Sequence, residues 1–67
     1  MKKDEAMRKV ADNLIEALRH VVRSYNAFNS ELYELAYEES IEAIRYLFKI
    51  PDVIDSFREK PVSSSQL

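Results

Sequence analysis

Residues 24 to 32 read SYNAFNSEL, and how this stretch is read decides the fold. The chain has no glycine, and its two prolines stand at Pro51 and Pro61. The polar cluster Ser24, Asn26, Asn29 and Ser30 is therefore the one break in helix-compatible sequence between Met1 and Ile50. It reads as the turn of a helical hairpin. Upstream, the apolar residues from Ala6 to Tyr25 fall within about half of a helical wheel, opposite Lys9, Asp12, Asn13, Glu16, Arg19, His20 and Arg23. Met7, Ala11, Leu14, Leu18, Val21, Tyr25 and Phe28 step alternately by four and three residues, the spacing of a helix–helix seam. The first helix is expected from about Asp4 to Tyr25, with Leu14 and Leu18 against the second.

Downstream of the turn, Asn29 or Ser30 can cap free amides, and Glu31 and Glu34 suit the positive end of a helix dipole. Pro51 disfavours helical geometry at Ile50 and donates no hydrogen bond, which predicts an end near Lys49. Asp52 then caps a short third helix whose Val53, Ile54 and Phe57 fold back on the hairpin. The expected fold is all-α: an antiparallel helical hairpin (about 4–25 and 30–49) plus a short third helix (about 52–59), assembled as a dimeric helix bundle. Residues 1–59 form the single domain, and the polar, proline-containing residues 60–67 are expected to be a disordered tail.

The second helix carries apolar side chains through an arc of roughly 240°, against a usual stripe of a little over 100°. One partner helix cannot cover that much. A second copy of the chain, or another helical protein, is expected to cover the rest, with Tyr33, Tyr37, Ile41, Ile44 and Phe48 as interface residues. Glu39 projects among Leu32, Ala43 and Tyr46, where an unpaired carboxylate would cost several kcal/mol. It is expected at the edge of the interface, meeting a cation or a tyrosine hydroxyl.

Size points the same way. A chain of 67 residues without cysteine has neither disulfides nor a thiolate metal site, and a domain this small buries only about 60% of its unfolded surface. A partner subunit is the remaining source of stability. Net charge is -2 and the isoelectric point about 5.3, which gives no general attraction to nucleic acid. No apolar run approaches the roughly 20 residues that span a bilayer, and MKKDEAMRKV lacks the apolar core of a signal peptide, so a soluble, cytoplasmic protein is expected. Glu16 and His20 share one face of the first helix, but on its polar side, facing water and short of further ligands; no metal or cofactor is expected. Without a nucleophile beside a base, or a glycine-rich phosphate loop, catalysis is not expected.

Asp12 to Ala36 resembles the helix A, turn, helix B core of ribbon-helix-helix DNA-binding proteins. The matching residues are DNLIEAL (Asp12 to Leu18), Asn26 where that family commonly has its turn glycine, NSEL (Asn29 to Leu32) and Ala36. The resemblance covers about a third of the chain. It implies a dimer-forming strand at Glu5 to Val10, with DNA contacts from Lys2, Lys3, Met7 and Lys9. An inward Arg8 and a groove-facing Glu5 depart from that pattern, and the segment continues the helical stripe without a phase change. The function expected from the residues themselves is a small non-catalytic protein–protein interaction or regulatory module, acting through the apolar face of the second helix. A DNA-binding repressor or antitoxin is the alternative that the resemblance implies.

Overall fold

The structure, a computed structural model, describes residues 2–58. Two helices, α1 (Lys3–Asn29) and α2 (Tyr33–Arg58), pack against each other as a hairpin, with no strand among the described residues. The all-helical hairpin is thus as the sequence predicts. Its turn is tighter and later than the polar cluster suggested: α1 continues through Asn26 and ends only where Glu31 takes a positive φ of 66°. The Leu32 amide then donates to the Ala27 carbonyl (2.8 Å) and the Glu31 amide to the Phe28 carbonyl (2.9 Å). This is the paired hydrogen-bonding of a Schellman motif, with Ser30 as the C-cap. Asn29 and Ser30 therefore belong to the end of α1 and do not cap α2. The Leu32 carbonyl opens α2 by accepting the Ala36 amide at 2.9 Å.

The left-handed position of this motif is normally glycine, because a Cβ there costs about 1–2 kcal/mol. This chain has no glycine and places Glu31 in it. Glu31→Gly should therefore stabilise the hairpin by about 0.5–1 kcal/mol, the relief of strain being partly offset by the added freedom of the unfolded chain. An unchanged urea midpoint would show that the Glu31 side chain contributes as much as its backbone costs.

The third helix expected after Pro51 is not a separate element. Helix α2 runs through Pro51, and residues 52–58 are its final turns. An interior proline removes one hydrogen bond and costs about 3 kcal/mol. Continuing the helix keeps Ile54 and Phe57 beside Ala6, Met7 and Leu14 of α1, contacts that a break would forfeit. The expected tail, residues 60–67, lies outside the described residues.

A larger correction concerns which side of α1 meets α2. Leu14 and Leu18, expected in the seam, are 48% and 62% exposed. The seam residues lie one position earlier: Ala6, Val10, Asn13, Ala17, His20, Ser24 and Ala27, all buried or partly so and also spaced alternately by four and three. On α2 the matching series is Ala36, Glu39, Ala43, Tyr46, Ile50 and Val53. Small side chains let the two backbones approach, and the buried residues among those described are five alanines. The Ser24 hydroxyl donates to the Ala36 carbonyl at 2.7 Å and fixes the register near the turn. The product is a single layer of two helices, 10 Å through its thinnest direction.

Candidate functional site

In an antiparallel helix pair, residues that follow the seam positions on both helices fall on the same face of the layer. On α1 these are Met7, Ala11, Leu14, Leu18, Val21, Tyr25 and Phe28. On α2 they are Tyr33, Tyr37, Ser40, Ile44, Leu47, Pro51 and Ile54. Ser40 turns its hydroxyl back to the Tyr37 carbonyl at 2.6 Å, so the face is apolar almost throughout. Side-chain positions agree with this construction. The Phe28 and Tyr33 rings meet edge to face at 5.3 Å, and Tyr25 and Phe28 of α1 line one groove together with Tyr33 and Tyr37 of α2. At the open end of the hairpin, Met7, Ala11 and Leu14 line a second groove with Ile54 and Phe57.

The other face is mainly polar, with Leu32 and Leu35 exposed on it near the turn. It carries Glu16 with Arg19 (3.6 Å) and Glu42 with Arg45 (3.3 Å), exposed pairs within single helices that contribute little to stability. The two-helix layer is thus amphipathic as a unit.

Of the expected interface residues, Tyr33, Tyr37 and Ile44 lie on the apolar face, while Ile41 and Phe48 lie on the outer flank of α2, Phe48 being the most exposed large apolar side chain. Glu39 lies between the helices, where its Oε1 is 2.5 Å from His20 Nδ1. His20, expected in water beside Glu16, is a seam residue. Its side chain is 15% exposed and that of Glu39 is 19% exposed. An ionised carboxylate only accepts hydrogen bonds, so the ring nitrogen is the donor. The His20 ring also stacks on Tyr46 at 5.6 Å with 12° between planes, and Lys49 Nζ lies 4.7 Å from the centre of the Tyr46 ring. Sequence reasoning missed this cluster because it turned α1 by one residue; the signal was the small-residue series that brings His20 opposite Glu39.

The segment from Glu5 to Val10, where the ribbon-helix-helix resemblance implies a strand, is helical and part of α1. Lys9 pairs with Glu5 at 4.0 Å, and Met7 lies on the apolar face. Among the described residues no three acidic, histidine or cysteine side chains gather as a metal site, and no helix is long and apolar enough to cross a membrane. Comparison with protein families, curated proteins and solved structures finds no match for this chain.

Proposed function

We propose that the protein is a non-catalytic helical interaction module, and that its working part is the apolar face shared by α1 and α2. The observation that carries this reading is the exposure of that face: its large side chains, from Phe57 at 40% to Tyr25 at 68%, lie side by side on one surface. Scattered exposed apolar residues need no explanation, but a contiguous apolar surface larger than a few hundred Å² marks an interaction site. The alanine seam supports the same reading. Five small side chains bury too little apolar area to hold a two-helix layer together unaided, so the large side chains must be buried against something else.

Leu18 sits in the middle of the face and makes no part of the seam, so Leu18→Glu leaves the hairpin's own packing intact while placing a charge in the interface. Association should weaken more than tenfold, read as a shift of sedimentation mass toward the 7.9 kDa chain. Arg19→Glu, on the polar face, should leave the mass unchanged. If Leu18→Glu associates as the wild type does, the face is not the interaction surface. A salt-sensitive complex with duplex DNA, lost on changing Lys2, Lys3 and Lys9 to Glu, would favour the DNA-binding alternative instead.

A further inference from the structure

We infer that the occupant of the apolar face is a second copy of this chain, stacked face to face and antiparallel, so that the turn end of each hairpin covers the open end of the other. This rests on the interaction-module reading and specifies its partner and geometry.

Three features carry it. The first is area. The large apolar side chains of the face, exposed at 40–68%, present on the order of 1,000 Å² per chain, taking aromatic side chains at about 200 Å² when fully exposed and aliphatic ones somewhat less. A stable protein–protein interface takes about 800 Å² from each partner. One further two-helix layer of the same size is enough to cover this face and complete a four-helix bundle.

The second feature is shape. The turn end of the face is lined by large rings, Tyr25, Phe28, Tyr33 and Tyr37, around a groove of about 430 Å³. The groove at its open end, about 350 Å³, has smaller side chains, Ala6, Val10 and Ala11, in its lining beside Met7, Ile54 and Phe57. Antiparallel stacking sets large rings against smaller side chains at both ends of a two-fold dimer, the isologous arrangement in which each patch meets its complement twice. Parallel stacking would crowd the rings of both copies together at one end.

The third feature is charge. The open end of the hairpin is close to balance, with Lys2, Lys3, Arg8, Lys9 and Arg58 against Asp4, Glu5, Asp52 and Asp55. Around the turn, from Val22 to Ile41, Arg23 is the one cation against Glu31, Glu34, Glu38 and Glu39. Antiparallel stacking keeps the two acidic turn ends apart; parallel stacking would bring them together.

The absence of cysteine allows a nitroxide to be attached at one introduced site in the full-length chain. Arg8→Cys marks the open end, Glu34→Cys the turn end and Arg19→Cys the middle, none of them on the apolar face. In the antiparallel dimer the two spins lie about 25 Å apart along the bundle at Arg8→Cys and about 35 Å at Glu34→Cys, at about 1.5 Å per residue from the helix midpoints, while those at the middle site lie within about 10 Å along it. Pulsed dipolar spectroscopy that gives long distances at both ends and a short one at the middle is the expected result. Short distances at all three sites would overturn the antiparallel arrangement and leave the interaction surface standing. A single 7.9 kDa species without dipolar coupling at tens of micromolar would overturn the second copy as occupant, and the Leu18→Glu comparison would then decide separately whether the face binds anything.

Discussion

His20→Ala should destabilise the protein by about 1–2 kcal/mol, because removing the donor of a partly buried hydrogen bond leaves the Glu39 carboxylate unsatisfied. The ring donates to Glu39 at 2.5 Å and stacks on Tyr46. Without it, a carboxylate whose side chain is 19% exposed stands in the seam between alanines. The remaining access to water keeps the expected loss at the lower end of the range for such pairs. Replacing both residues, His20→Leu with Glu39→Leu, should recover most of the loss, since two apolar side chains of similar volume need no partners. Urea unfolding followed by circular dichroism, at one fixed protein concentration because association contributes to the midpoint, separates the two outcomes. If His20→Ala unfolds within about 0.5 kcal/mol of the wild type, the pair is solvated in practice and does not hold the seam.

The same pair explains why the seam lies where it does. The first helix contains two interleaved series with the spacing of a helix seam: Met7, Ala11, Leu14, Leu18, Val21 and, one residue earlier, Ala6, Val10, Asn13, Ala17, His20. Hydrophobicity favours the first, and reading the sequence by apolar content alone turns α1 by about 100°. Glu39 reverses the choice. In the rotated arrangement it would face leucine and valine, whereas the small series sets a hydrogen-bond donor opposite it and lets the backbones close.

What was legible in the sequence was what depends on pattern alone: two helices, their antiparallel connection near Ser30, and more apolar surface than one hairpin can bury. What was not legible depended on competition between local preference and tertiary contact. Pro51 disfavours a helix locally, yet α2 continues because Ile54 and Phe57 have a groove to line. No glycine announces the left-handed residue of the turn, which falls to Glu31. The excess apolar surface, legible on α2, belongs in the structure to both helices, and this could be seen only once the seam of α1 was known.

The close approach of the helices has its own test at Ala17 and Ala43. Ser24 bonds to Ala36 across the seam, and one heptad farther from the turn on each helix stand Ala17 and Ala43, both only 3% exposed. A leucine at either position has no room unless the helices separate, and separation would break both the Ser24–Ala36 and the His20–Glu39 hydrogen bonds. Ala17→Leu and Ala43→Leu should each cost about 1–3 kcal/mol, the usual penalty for overpacking a tight site. Because the two positions share one level of the seam, the double variant should depart from the sum of the singles. Glu38→Leu, on the exposed polar face, is the control: it places a leucine outside both the seam and the apolar face and should be tolerated by the hairpin. Unfolding measured for all four variants at one concentration decides the matter. If Ala17→Leu and Ala43→Leu are as stable as Glu38→Leu, small side chains do not set the helix separation, and the large series of α1 is free to turn inward.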